Sequence, residues 1–368
     1  IVGGEHRGVV TSATYEARAY GVHAAMPMSR ARALCPHAVV LPTRHGRYRE
    51  VSAEVMTVLG QVTPVLEKVS IDEAFLDVSG SVRRMGPPVE IARWVRAQVR
   101  GRTGVPASVG VGSSKLVAKL ASSHAKPDGL LLVPADASVA FVQSLPAGAL
   151  WGVGERTGAL LERRGVTTVA DLAATPLPTL HRWLGVAAGQ RLHELSWAVD
   201  RRRVEPVRVE RSVGTETTFP QDVTDHATLR AVLLEQAHAT AARLRAEGML
   251  AGTVSIKVRL ADFTTLSRSR TLHAGTDLAA DLVAAARALL DRVEVPPSGV
   301  RLLGLRAERL ERADAGTQAT LDEDPHRAEA ERAMDGVRRR FGPGLVGPAS
   351  LVRPRSTTAP RPGDISLE

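Results

Sequence analysis

The sequence predicts a multidomain α+β protein, and three observations predict it. A chain of 368 residues exceeds what one hydrophobic core usually organises. Strand and helix signals alternate through the first third, give way to short helices without strand signal from residue 145, and resume after residue 208. That last stretch runs strand, helix, strand, strand, helix, strand, the order of a β-α-β-β-α-β split unit. With 44% hydrophobic and 24% charged residues, the composition is that of a globular protein, and no apolar run approaches the roughly 20 residues of a membrane span.

The elements follow in order. Ile1 and Val2 read as the end of a strand, Gly3 and Gly4 as a turn, and Val9 to Ser12 as a second strand. IVGG also begins the mature form of chymotrypsin-like proteases, but the single cysteine, Cys35, and the lack of a GDSGG loop exclude that reading. EARAYGVHAAMPMSRARALCP has helical spacing on both sides of a Gly/Pro break, and AVVLP reads as a short strand. HGRYREVSAEVMTVLGQVTP places Val51, Val55, Val58 and Leu59 on one helical face, and VEIARWVRAQVRGRTG repeats the pattern with basic residues opposite. ASVGVGSSKLVAKLASSHAKPDGLLLVP then gives strand, turn, helix, turn and strand.

WGVGERTGALLERRGV has the form of a helix-hairpin-helix, in which backbone N–H groups around Gly152 and Gly154 and the next helix N-terminus suit a nucleic-acid phosphate. DRRRVEPVRVERS reads as an extended basic linker. In the strands beyond it, Lys257 and Arg259 fall two apart, as do Arg268 and Arg270, so one face of that sheet is expected to be basic. Residues 313–368 hold one helix, HRAEAERAMDGVRRRF, before Gly/Pro-rich segments and a tail expected to be disordered.

A formal charge of +9 and a pI near 10.4, carried mostly by arginine, put nucleic acid first among polyanionic partners. The bland alternative is that arginine-rich surface serves only solubility. One cysteine rules out an internal disulfide framework or thiolate metal cluster and fits a reducing compartment, the cytoplasm.

The chemistry concentrates in VSIDEAFLDVSG, where Asp72 and Glu73 stand side by side in an apolar stretch. Neighbouring strand residues point to opposite faces, so these carboxylates converge only if the chain turns there. At such a turn they are hard oxygen ligands suited to Mg²⁺, which binds together with substrate phosphates. In phosphoryl transfer to a 3′-hydroxyl, two such ions lower the nucleophile's pKa and offset charge on the leaving group. An SIDE tetrapeptide alone is better explained by a solvated turn.

TSATYEARAYGV, PVLEKVSIDEAFLDVSG, SVGVGSSKLVAKLASSHAKPDG, the helix-hairpin-helix and SVGTETTF occur in one order and spacing. With them the chain resembles the Y-family DNA polymerases, most closely the bacterial DNA polymerase IV group, up to about residue 350. The resemblance implies a ferredoxin-like palm with small fingers, a helical thumb and a little-finger domain. The implied limits are fingers 1–43, palm 44–133, thumb 134–200, basic linker 201–207, little finger 208–312 and C-terminal helix and tail 313–368. It implies catalysis and metal binding by Asp72 and Glu73, with two Mg²⁺ ions in the complete enzyme and Ser70 supporting the turn. It also implies that Ser12, Tyr15, Arg18 and Lys126 hold the incoming dNTP; a phenol and a guanidinium fork suit phosphate oxygens. Gly152, Gly154, Arg211, Ser212, Gly214, Lys257, Arg259, Arg268 and Arg270 are then the DNA-binding candidates. The implied activity is low-fidelity, template-directed synthesis across damaged primer-template DNA by a monomer.

Members of the family begin with an Asp-bearing strand followed by aromatic residues, which supplies a third metal ligand and a gate against ribonucleotides. That segment would precede Ile1, so a truncated form with severely reduced activity is expected. QATLDED, 318–324, faintly resembles the glutamine-led peptides that dock on the sliding clamp, but lacks their aromatic end and reads better as linker. Two other classes stay open: a non-catalytic DNA-binding homologue, and a palm-type nucleotide cyclase. A cyclase has no use for the helix-hairpin-helix or the basic sheet.

Overall fold

The computed structural model describes residues 1–4, 7–207, 210–313, 325–342 and 345–351. These form two compact units, one of residues 1–43 with 209–368, the other of residues 44–208.

In the first unit, strands β1 (Val2–Gly3) and β2 (Val10–Ser12) pair antiparallel. Helices α1 (Tyr15–Ala19) and α2 (Met28–Leu34) follow, with Val10, Ala17, Val22, Met26 and Met28 forming a small core. The strand expected in AVVLP is not formed. Leu41 alone makes a bridge, to Val2.

The second unit opens with helix α3 (His45–Gly60), whose Val58 and Leu59 are buried as the spacing predicts. Strands β3 (Leu66–Lys68) and β4 (Ala74–Leu76) form an antiparallel hairpin. Helices α4 (Val82–Met85) and α5 (Pro88–Thr103) lead to a parallel pair, β5 (Val109–Val111) and β6 (Leu130–Leu132), joined through helix α6 (Lys115–His124). A parallel pair needs such a crossover. Helices α7 (Ser138–Gln143), α8 (Glu155–Arg163), α9 (Val169–Ala174), α10 (Leu177–Leu184) and α11 (Val186–Ser196) share one core with α6 through Leu116, Leu120, Leu161, Leu172 and Leu180.

The rest of the first unit has the predicted β-α-β-β-α-β order. Strand β7 (Ser212–Val223), helix α12 (His226–Glu247), strands β8 (Met249–Leu260) and β9 (Thr265–Thr276), helix α13 (Ala279–Leu290) and strand β10 (Val300–Arg312) make an antiparallel sheet of order β7-β10-β8-β9. The two helices cover one face, burying Leu229, Leu233, Leu282, Val254, Ile256 and Leu305. A last helix, α14 (Pro325–Phe341), is fastened to this domain by Arg245, whose guanidinium donates to Glu331 and Asp335 at 2.6 Å each. The expected tail and the QATLDED segment lie outside the described residues. No helix among the described residues is long and apolar enough to cross a membrane.

Candidate active site

The acidic pair stands where the chain reverses between β3 and β4. Lys68 pairs with Ala74, and the backbone N–H groups of Val69 and Ser70 both donate to the Glu73 carbonyl, at 3.0 and 3.2 Å. The Ser70 hydroxyl donates to Asp72 Oδ1 at 2.6 Å and accepts from the Asp72 amide at 3.3 Å. Asp72 is exposed and Glu73 half-buried. The expected turn is thus present, and Ser70 closes it. Glu73 also makes an ion pair, with Lys119 of α6.

The base of the hairpin is tied down more heavily. Lys115, one turn before Lys119 on α6, donates to both Glu67 oxygens at 2.6 and 2.5 Å, and the Glu205 amide donates to Glu67 at 2.9 Å. Burial opposes ionisation of Glu67, but Lys115, the Glu205 amide and the Arg202 charge outweigh it and hold its pKa below the usual carboxylate range. Asp200 accepts from the Leu116 amide at the start of α6 at 3.0 Å, and from Arg202 at 2.7 Å. The Arg202 guanidinium lies 4.2 Å from the centre of the Trp151 ring, which stacks on Phe75 at 6.0 Å. The start of the basic linker is therefore a clamp, with Arg202 and Asp200 committed to the protein. Composition hid this, since a run of arginines gives no sign of which one has a partner.

Ser12 ends β2, and Tyr15 opens α1 behind its N-cap, Thr14. All three expected triphosphate contacts of this unit, Ser12, Tyr15 and Arg18, are exposed. Arg18 donates through Nε to the Ala13 carbonyl at 3.0 Å, and its guanidinium lies 5.3 Å from the Tyr15 ring centre. Lys126 belongs to the other unit, with Asp72 and Glu73; it is exposed just beyond α6.

Gly152 has φ +105°, a conformation open to glycine, and Gly154 caps α8. Only a short helical turn, Ala147–Ala149, precedes this WGVG bend.

The sheet of the first unit corrects one expectation. Across it, Glu216, Gly304, Lys257 and Ser267 lie in one row, and Gly214, Arg306, Ser255 and Ser269 in the next, all on the face away from the helices. Arg259 and Ser212 continue that face. Arg268 and Arg270 stand opposite Ile256 and Val254, and so share their side, remaining exposed because β9 is an edge strand. The four basic residues do not form one face. Alternation fixes which residues of a strand agree, and only the register between strands fixes which pairs coincide. Arg306, missed in the sequence, joins the open face, while Arg211 is exposed just before β7. A shallow hollow of about 610 Å³ runs over this face, lined by Ser212, Gly214, Lys257 and Arg306.

The family described as impB/mucB/samB matches residues 1–123, its C-terminal domain matches 210–321, and the thumb domain of DNA polymerase-iota matches 148–200. A DNA polymerase IV of Desulfatibacillum aliphaticivorans is 41% identical over 357 residues, covering 96% of this chain and 90% of that protein. This chain belongs to the Y-family, in its DNA polymerase IV group. A second such relative, from Alkalilimnicola ehrlichii, is 42% identical and covers 84% of this chain and 87% of its own. Among solved structures, a Y-family DNA polymerase chimera of Dbh and Dpo4 superposes with TM-score 0.74 at 24% identity, covering 84% of this chain and 91% of its own. An insertion ternary complex of Dbh DNA polymerase gives 0.60 at the same identity, over 84% and 90%. The multidomain α+β polymerase fold expected from the motifs is the one observed. The expected loss of activity gains no support from these matches.

Proposed function

We propose that this protein is a template-directed DNA polymerase of the translesion type, transferring nucleotides from dNTPs to a primer 3′-hydroxyl. The observation that carries the reading is the turn at Asp72 and Glu73, a hairpin tip at which Ser70 fixes one carboxylate and Lys119 pairs with the other, within the matched family segment.

The donor set fits Mg²⁺. No cluster of three or more metal-binding side chains occurs among the described residues, and one or two carboxylates completed by water and substrate phosphates are what Mg²⁺ usually takes from a protein. Asp72 and Glu73 would hold it. When bound, it would neutralise phosphate charge and lower the pKa of the attacking hydroxyl. The chain's own residues do the positioning. Ser70 fixes the Asp72 carboxylate, and the Glu67–Lys115 pair holds the hairpin root against α6. Tyr15 and Arg18 in the one unit, and Lys126 in the other, each carry donors suited to phosphate oxygens. The Gly152–Gly154 bend and the open face with Lys257, Arg259 and Arg306 suit the sugar-phosphate backbone, which carries no sequence information. Ligation of substrate phosphates and backbone grip together favour a polymerase over a cyclase.

Primer extension with Mg²⁺ and dNTPs tests this. The chain should extend a primer, and Asp72→Ala or Glu73→Ala should lower the rate by about a hundred- to a thousandfold, the scale of removing a main transition-state electrostatic group. DNA affinity should survive both changes and fall steeply with salt. Extension unaffected by Asp72→Ala would overturn the reading; binding without any extension by the unchanged chain would favour a passive homologue.

A further inference from the structure

Helix α6 presents two lysines one turn apart to one hairpin, and they are held differently. Lys115 has 8% of its side chain exposed and is bound to both Glu67 oxygens and to the Arg203 carbonyl. Lys119 is about a third exposed and meets a single oxygen, Oε1 of Glu73. Beside that pair lies a cavity of about 340 Å³, lined by Val69, Glu73, Leu116, Lys119, Ser123 and Trp151. Asp72, the neighbouring carboxylate, has no lysine partner among the described residues; its bonds are to Ser70. The two acids at the tip are thus unequal, one open and one already neutralised by a cation.

A fixed cation against a ligand carboxylate opposes a divalent ion through like-charge repulsion and by occupying an oxygen. The cavity gives the ammonium somewhere to go. We propose that Lys119 is a displaceable counter-cation and positioning residue for Glu73, holding its carboxylate until a divalent ion arrives with nucleotide and then withdrawing toward the cavity. This rests on the polymerase reading for the role of Glu73. Its consequence is that the DNA-free protein takes up a divalent ion poorly, so that the pair is completed with substrate rather than ahead of it. Lys115, fully engaged at the hairpin root, stays in place throughout.

The test is Mn²⁺ titration of the full chain without DNA or nucleotide, followed by electron paramagnetic resonance of the free ion. Lys119→Met should bind Mn²⁺ roughly tenfold tighter than the unchanged chain, the size expected for removing a unit charge a few ångströms from a divalent ion in a largely aqueous setting. Lys119→Arg, which keeps the charge, should retain the original affinity, and adding Glu73→Gln to Lys119→Met should abolish the gain. The Mg²⁺ concentration for half-maximal primer extension should fall with Lys119→Met. Thermal unfolding establishes that each variant is folded. Equal Mn²⁺ affinity in the unchanged and Lys119→Met chains, including no binding by either, overturns the proposal, as does a gain that survives Glu73→Gln. The polymerase reading fails separately, by absence of primer extension in the unchanged chain.

Discussion

Glu216 and Lys257 form an ion pair across an intervening strand: Lys257 Nζ meets Glu216 Oε2 at 2.9 Å above Gly304, which lies between them in the same row of the sheet. A Cβ on Gly304 would come within 2.9 Å of the Glu216 Cβ, so the pair depends on a residue with no side chain. Glu216 thereby offsets part of the positive charge of the open face. Glu216→Gln should tighten DNA binding and steepen the slope of log affinity against log salt by about one, since each phosphate neutralised contributes about −0.9. A salt titration by fluorescence anisotropy measures it, and an unchanged slope would show that Lys257 does not meet phosphate.

Lys115→Met should destabilise the second unit by roughly 2–4 kcal/mol. Breaking a buried pair leaves the partner charge uncompensated, and the partial exposure of Glu67 reduces the cost. The double change Lys115→Met with Glu67→Gln should recover part of the loss in urea unfolding. Simple additivity of the two changes would contradict a coupled pair.

Gly110 lies where β5 touches α6. A methyl group there would fall 2.0 Å from the Ala118 carbonyl oxygen and 2.2 Å from the Ser122 amide nitrogen, both backbone atoms that cannot turn aside. Gly110→Ala should therefore cost about 3 kcal/mol or more. Gly101, exposed in α5 with open space around it, is the contrast: Gly101→Ala should stabilise by about 0.5–1 kcal/mol. Denaturation midpoints that move the same way for both would refute the packing account.

Asp171 closes a capping box at the start of α9, accepting from the Thr168 and Thr167 amides at 2.8 and 3.0 Å. The Thr168 amide, then its hydroxyl and the Thr167 amide, hold its carboxyl at a pKa of about 2, below the ordinary 3.8. A depressed carboxylate contributes stability that is full above its unfolded pKa and is lost as pH falls through the folded one. The melting temperature of Asp171→Asn should therefore lie below that of the unchanged chain at pH 7, and the gap should close between about pH 4 and pH 2. A gap independent of pH would remove the charge from the explanation.

The carboxylate turn was legible because neighbouring strand residues point to opposite faces, so adjacent carboxylates can serve one site only where the chain turns. The β-α-β-β-α-β order was legible from turn residues and helical spacing. What the sequence concealed has a common cause, which is dependence on a partner distant along the chain. Alternation placed Lys257 with Arg259, and Arg268 with Arg270, yet only the pairing of β8 with β9 puts the two couples on opposite sides. Arg202 reads as one more linker charge until Trp151 of the WGVG bend is brought to its guanidinium. Lys119 carries no local sign of Glu73, and AVVLP has strand composition yet makes a single bridge, from Leu41 to Val2.

The open sheet face is floored by Gly214, Gly304, Ser255, Ser267 and Ser269, with longer side chains set among them. Between those side chains the small residues leave room for phosphates to lie close to the sheet, with no group shaped to a particular base. A duplex resting on it would be carried as on a smooth rail, so a bulky or distorted base pair could pass without losing its purchase.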